Sequence, residues 1–348
     1  MTDVTQIRSG ATLVGVVPEH LRAEFFDADC RASLQESARL MGGELVWLED
    51  CEQFTRFLRS GQGSATQVVV SSWGFPYLDD WYLDHLPNLR LLAHTGATVR
   101  PFVGGEFFSR GLKVTQAGDA MGRPVAEVAL TFTLALLHQV HRFTHDLHAG
   151  VGYAESHVGA RVQHEILGTS IGVVGASRTG RHYIDLVRAL GANVSVYDPF
   201  LTDDEASLMG VRKVELEQLM SESRIVAVHA PSLPQTHHMI DAHMLSLMPE
   251  GAGLVNTARS WLVDEQALID QAASGRIDVA VDVFDVEPFA DDHPFRSMPN
   301  VLLTPHRAAG TVQGRLRGGA IVAGEVARLV AGEPLTASIC ADDLLRMA

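Results

Sequence analysis

Three side chains able to act on a carbonyl group follow apolar runs in the C-terminal half of the chain. Arg259 lies in VNTARSWLVDE (255–265), Glu287 in VDVFDVEP (281–288) and His306 in LTPHRAAGT (303–311). Arg259 presents a planar fork that can bind a carboxylate and an adjacent keto oxygen together. Each charge-assisted bond of that kind contributes roughly 1.5–3 kcal/mol. His306 exchanges a proton near neutral pH, which suits it as acid or base at that oxygen. Taken one at a time these residues are ordinary. An arginine at a strand end is commonly a solvated charge, a histidine after proline a turn residue, and Glu-Pro a loop start.

A second constellation precedes them. The stretch GVVGASRTG (172–180) follows a strand and opens a helix, the context that a dinucleotide fingerprint requires. Gly175 permits the tight turn and Gly180 lets helix and strand pack closely. The helix N-terminus, through Ser177, Arg178 and Thr179, offers free N–H groups to a pyrophosphate. Ser177 stands where the usual pattern has glycine, and its Cβ is expected to push the pyrophosphate outward. Asp198 ends the next strand, 18 residues beyond Gly180. A carboxylate there accepts hydrogen bonds from both ribose hydroxyls and repels a 2′-phosphate. No arginine directly follows it, so the expected cofactor is NAD rather than NADP.

These groups need a scaffold that brings several strand ends together. Short β-branched runs alternate with longer amphipathic segments, the pattern of a parallel sheet covered by helices. A first series reads as strands at Thr12–Val17, Glu44–Leu48, Gln67–Ser71, Leu89–His94 and Leu112–Gln116. A second reads as strands at Ser170–Val174, Asn193–Tyr197, Ile225–His229, Gly253–Asn256, Val279–Val283 and Val301–Leu303. Helices are expected at Cys30–Met41 and Leu78–His85, one starting at Pro101, a long one over about Arg123–His145, and a last one over about Val312–Val330. The fold class is therefore α/β, with two doubly wound parallel-sheet domains: a flavodoxin-like substrate domain (1–118 and 308–348) and an inserted Rossmann NAD-binding domain (119–307). The crossings near Gly118–Arg123 and Ala308–Thr311 are expected to act as hinges.

Bulk properties narrow the partners. The 348 residues exceed what one core usually serves. Lys+Arg number 27 against 42 Asp+Glu, a formal charge of −15, which disfavours nucleic acid and anionic membrane surfaces as partners. Met1 to Gly10 is polar without the apolar core of a signal peptide, and Val125–Val140 is interrupted by polar residues, so no membrane span is expected. Cys30, Cys51 and Cys340 lack any zinc or CxxC spacing and fit free thiols in a cytoplasmic setting. The 16 histidines show no ligand pair within an acidic cluster, and no metal is expected.

In the order and context of these motifs the chain resembles the D-isomer-specific 2-hydroxyacid dehydrogenase family, which includes phosphoglycerate, D-lactate and glyoxylate/hydroxypyruvate enzymes. The resemblance covers the whole second series and extends more loosely to the first. It implies hydride transfer between NAD(H) and a small 2-hydroxy or 2-keto acid, with Arg259, Glu287 and His306 as the catalytic set. Glu287 then hydrogen-bonds His306 and favours its charged form. Asp282 lies near the nicotinamide, and His229, Pro231, Thr236, Thr257 and Ala258 join the cofactor contacts. It also implies a dimer contact beside the fingerprint, and the apolar faces of Val125–Val140 fit a homodimer.

The first series departs from the family pattern. Its fourth strand leads into AHTGATVR (93–100), where Gly96 survives but the usual Asp-Asn pair is gone and Arg100 has appeared. His94, Thr95, Gly96 and Arg100 are substrate-side candidates, with His94 or Arg100 reading a second polar or anionic group and Trp73 as an apolar wall; Arg100 facing solvent or pairing with the neighbouring domain, and Trp73 packing in the domain core, are the competing readings. Ser260 replaces the glycine that usually follows the arginine. Two other relatives of this fold stay open: formate dehydrogenase, disfavoured because it has glutamine in place of Glu287, and a non-catalytic NAD-sensing scaffold.

Overall fold

The computed structural model describes residues 10–158, 162–344 and 347. Residues 1–9 of the N-terminal stretch read as free of a signal peptide, and residues 159–161, lie outside these described residues. The chain divides into unit 1, which runs to Met121 and resumes at Gly310, and unit 2, Gly122–Ala309.

Unit 1 holds β1 (Ala11–Val16), β2 (Glu44–Leu48), β3 (Val68–Ser71), β4 (Leu91–His94) and β5 (Lys113–Gln116). Their order is β5-β4-β3-β1-β2, all parallel, with Ser338–Ile339 added antiparallel on the β5 edge. β1, β3 and β4 are buried throughout and are mostly Val, Leu and Ala, with Thr12 and Gly15 within β1 and Ser71 and His94 at the ends of β3 and β4. Ser71, His94 and Gln116 end adjacent strands in register.

Unit 2 holds β6 (Ser170–Val174), β7 (Asn193–Tyr197), β8 (Arg212–Lys213), β9 (Ile225–Val228), β10 (Gly253–Asn256), β11 (Asp278–Val281) and β12 (Val301–Leu303), in the order β12-β11-β10-β9-β6-β7-β8. The chain leaves β6 in both directions, so the topological switch point lies between β6 and β9. Val174, Val228, Asn256, Val281 and Leu303 stand in one register row across β6, β9, β10, β11 and β12. The residues that follow them (Gly175, His229, Thr257, Asp282 and Thr304) therefore start five loops from one edge of the sheet.

Several expectations are corrected. The long helix is two, Gly118–Leu137 and Val140–His148, separated by Gln139 at φ 56°. The Gln139 amide donates to Leu136 O and to the buried Asp278 carboxylate, both at 2.8 Å, and Arg142 donates to the other carboxylate oxygen at 2.6 Å. Those bonds hold the left-handed break. Pro101 starts no helix: the chain makes a single turn there, with Phe102 and Val103 both donating to Val99 O, and the helix begins at Gly105. The strands β8 and Ser338–Ile339, two residues each, carry no periodicity long enough to read. The helix Gly118–Leu137 is also long and apolar enough, at mean hydropathy 1.3, to pass a length-and-composition test for a membrane span. In the fold its Ala126, Ala129, Phe132, Leu136 and Leu137 pack into the unit 2 core instead.

Pro124 lies inside that helix, lacks an N–H, and leaves the Ala120 carbonyl one turn earlier without its usual partner. The Arg317 guanidinium, from the helix Val312–Ala331, donates to that carbonyl at 3.3 Å. Two histidines are buried uncharged at strand ends. His94 is 1% exposed, with Nδ1 3.0 Å from Ser71 Oγ; His229 is 3% exposed, and neither ring nitrogen has a hydrogen-bond partner. Burial lowers each from 6.5 to about 3.

Two outcomes follow. Arg317→Ala should cost about 1 kcal/mol in urea unfolding, and the cost should vanish in a Pro124→Ala background, where alanine restores the N–H. Equal costs in both backgrounds would show the contact to be idle. For His94 and His229 the folded pKa lies below the unfolded one, so the unfolded chain binds more protons as pH drops below 6.5. Stability is therefore lost on acidification, by about 1.4 kcal/mol per pH unit for each histidine while only the unfolded form is charged. His94→Asn should make the acid loss shallower, and a curve parallel to that of the parent would contradict this linkage.

Candidate active site

The nucleotide turn sits between β6 and the helix Arg178–Ala189. Gly175 has φ 98°, and a Cβ there would lie 2.6 Å from the Ala230 backbone; a Cβ on Gly180 would lie 2.2 Å from Gly175 O. Neither position admits a side chain, so the chain forms the close-packed cradle that an approaching pyrophosphate needs. Ser177 is different. Its φ of −63° and ψ of 177° suit any residue, and its hydroxyl caps the helix by accepting the Gly180 N–H at 3.2 Å. The substitution thus supplies a cap while occupying one N–H that a phosphate would otherwise meet. Arg178 is exposed and Thr179 half-buried on the same turn.

Asp198 follows β7. Its carboxylate accepts the Ala176 N–H at 2.7 Å on one oxygen and the Phe200 N–H at 2.8 Å on the other, which fixes its orientation beside the turn. Each oxygen keeps a lone pair for a ribose hydroxyl. His229 lies under the turn, its Cβ 3.3 Å from where a Gly180 Cβ would be. Thr236 fastens the loop after β9, donating to Pro231 O at 2.7 Å and accepting from the Leu233 N–H at 2.8 Å. Thr257 is 6% exposed with its hydroxyl unpartnered, an acceptor-donor left open at the same strand edge. The glycine cradle, the oriented Asp198 and this orphaned hydroxyl fit a dinucleotide.

Arg259 stands on the loop after β10. Buried Asn256 brackets that loop, its amide donating to Arg259 O at 2.9 Å and its carbonyl accepting from the Ala258 N–H at 3.0 Å. Sequence reading passed over Asn256, although an amide two residues before a turn signals this bracket. Burial lowers the pKa of the Arg259 guanidinium, and the negative charge of Glu287 opposes that shift. Arg259 keeps its charge, and Glu287 acts on it as well as on His306.

His306 and Glu287 meet directly: Nδ1 lies 2.7 Å from Oε2, with both side chains about half exposed. Glu287 Oε1 accepts the Phe284 N–H at 3.2 Å, so one carboxylate oxygen is anchored and the other faces the ring. With Nδ1 engaged, Nε2 is the nitrogen left for a ligand. His306 itself has φ 51°. Asp282, 1% exposed, accepts from Thr304 Oγ1 at 2.5 Å and from the backbone N–H groups of Arg307 and Ala308, each at 2.9 Å. Thr304 was not foreseen; a hydroxyl two residues before His306 was its only signal.

The remaining candidates lie in unit 1. Thr95 is buried, its hydroxyl donating to Ser72 Oγ at 3.0 Å. A Cβ on Gly96 would come within 2.6 Å of His94 Nε2, so glycine is required there for space rather than conformation. Trp73 is 47% exposed, with its ring 5.6 Å from that of Phe25. Arg100 is exposed on its turn. Near Arg259 the structure adds an unforeseen stack, with the His237 ring 3.9 Å from His238 and 4.0 Å from Trp261.

Known proteins resemble this chain over most of its length. Residues 130–308 match the family model described as D-isomer specific 2-hydroxyacid dehydrogenase, NAD binding domain. The D-3-phosphoglycerate dehydrogenase of Methanocaldococcus jannaschii is 30% identical over 253 residues, covering 72% of this chain and 47% of that protein. The chain thus spans about half the length of the phosphoglycerate relatives. The hydroxypyruvate reductase of Thermotoga maritima is 31% identical over 235 residues, covering 67% of this chain and 74% of that one. Among solved structures, a glyoxylate reductase from Paecilomyes thermophila has a TM-score of 0.79 at 22% identity, covering 95% of this chain and 99% of its own. The Rhodotorula graminis D-mandelate dehydrogenase reaches 0.80 at 21%, covering 94% and 97%. The chain belongs to the D-isomer specific 2-hydroxyacid dehydrogenase family and carries that family's NAD-binding domain.

Proposed function

We propose that this protein catalyses hydride transfer between NAD(H) and a small D-2-hydroxy acid or its 2-keto acid. The observation that carries the reading is the 2.7 Å contact of His306 with Glu287, on the same strand edge as the glycine cradle and Arg259. NAD would be held by the Gly175–Gly180 turn and Asp198, and when bound it supplies or accepts the hydride. Arg259 pairs with the substrate carboxylate and draws electron density from the adjacent carbonyl oxygen. In the direction of reduction His306 delivers a proton from Nε2 to that oxygen, and in oxidation it removes it. Glu287 holds the ring through Nδ1, which leaves Nε2 as the nitrogen that carries the exchanged proton.

Finer points belong to the same proposal. Of the unit 1 candidates, His94 and Thr95 are buried and Gly96 carries no side chain, which leaves Trp73 and Arg100 exposed for a substrate group. A cytoplasmic setting fits the three free cysteines. A homodimer fits the exposed apolar side chains of Val140, Leu147, Tyr153, Val158, Val162 and Leu167 on one stretch of unit 2.

The test follows NADH absorbance against glyoxylate, pyruvate, hydroxypyruvate, phosphohydroxypyruvate and bulkier branched and aromatic 2-keto acids. One or more should be reduced, and His306→Ala should lose roughly 10²–10⁴-fold in kcat. NADH binding without turnover of any acid would reject the reading and favour a nucleotide-sensing role.

A further inference from the structure

The loop that carries His306 has almost no structure of its own. Pro305 has no N–H to give, and the other four amides from Thr304 to Ala308 all bond to the end of β11. Thr304 N donates to Val281 O at 3.1 Å and His306 N to Asp282 O at 2.8 Å. Arg307 N and Ala308 N donate to the two oxygens of the Asp282 carboxylate, each at 2.9 Å. Thr304 Oγ1 adds a third bond to that carboxylate at 2.5 Å. Of the roughly four acceptor positions a carboxylate offers, three are taken within the chain. The carboxylate also lies in a residue only 1% exposed. Meanwhile His306 adopts φ 51°, a conformation that a residue with a side chain visits rarely and at a cost.

We infer that Asp282 is the positioning residue of this site: its carboxylate ties down Thr304, Arg307 and Ala308 and so holds His306 in its left-handed conformation against Glu287. A loop without these bonds relaxes out of positive φ, and the ring then leaves the line of the Glu287 oxygen. Asp282 acts through the loop and need not touch the substrate. A single acceptor position remains on it for a nicotinamide donor, so the two functions are compatible but separable. The inference rests on the proposed role of His306 only for its kinetic consequences; the clasp itself is independent of it.

Asp282→Asn and Thr304→Val separate the cases. The asparagine keeps the shape but has one oxygen, and its NH₂ must face at least one of the donors that the carboxylate accepted. Thr304→Val removes only the hydroxyl bond and leaves Asp282 in place, and Thr304→Ser should restore it. Three readouts are taken on the full chain: hydrogen–deuterium exchange of the peptide spanning 301–310, NADH affinity by fluorescence, and kcat on the best 2-keto acid across pH. The clasp predicts exchange of the His306–Ala308 amides at least about tenfold faster in Asp282→Asn. It also predicts kcat lower by roughly 10–100-fold in Asp282→Asn, and, in Thr304→Val, a lowered kcat with NADH affinity within about twofold of the parent. Thr304→Val should shift the same quantities less. Unchanged exchange with weakened NADH affinity would overturn the inference and leave Asp282 a cofactor contact alone. Should the parent reduce no 2-keto acid, the reaction reading fails, while the exchange result still decides for or against the clasp.

Discussion

The register of five parallel strands is the constraint on which the unit 2 site depends. Val174, Val228, Asn256, Val281 and Leu303 stand side by side, so the loops leaving them start level with one another. A slip of one residue in any strand would reverse its side-chain alternation and carry its loop out of line. The buried β-branched residues on both faces make such a slip expensive, because each would exchange a packed position for another of different shape. Chemistry is thereby moved off the scaffold and onto loops that need only short tethers. The tethers are specific: Asn256 brackets the Arg259 loop, Thr236 the loop after β9, and Asp282 the loop of His306.

Electrostatics in this arrangement are local rather than global. The chain carries a formal charge of −15, yet Arg259 sets a cation in a partly buried position beside Glu287, where a fork-shaped cation has more effect than it would in open solvent. Glu287 faces two groups at once, the guanidinium of Arg259 and the ring of His306. Removing it would leave both without that carboxylate.

Much of this was legible in the sequence because parallel strands announce themselves. Ser170–Val174, Asn193–Tyr197, Gly253–Asn256 and Val301–Leu303 have the bounds that their short β-branched runs indicate, the first three ended or followed by Gly, Asp or Asn. The glycines at 175 and 180, and Asp198 after the next strand, were legible for the same reason: backbone approach excludes other residues. What escaped detection depends on contacts distant in sequence. The break at Gln139 needs Asp278, 139 residues away, and the helical periodicity runs through it uninterrupted. Thr304 means little until Asp282 is placed opposite it, 22 residues away. The turn at Pro101 was misread because proline suits the first turn of a helix and a lone turn equally well. The departure at 93–100 was visible, yet only burial showed that His94 stands there without charge.

In the proposed reaction His306 exchanges the proton while Glu287 holds its ring through Nδ1. The kcat for 2-keto acid reduction in Glu287→Gln against the parent, with NADH affinity measured beside it, tests this most directly. With the carboxylate replaced by an amide the ring loses its charge-assisted partner, and kcat should fall by roughly 10–100-fold while NADH affinity stays within about twofold of the parent. An unchanged kcat would mean that the 2.7 Å contact does not position the ring and would contradict the proposed role of Glu287.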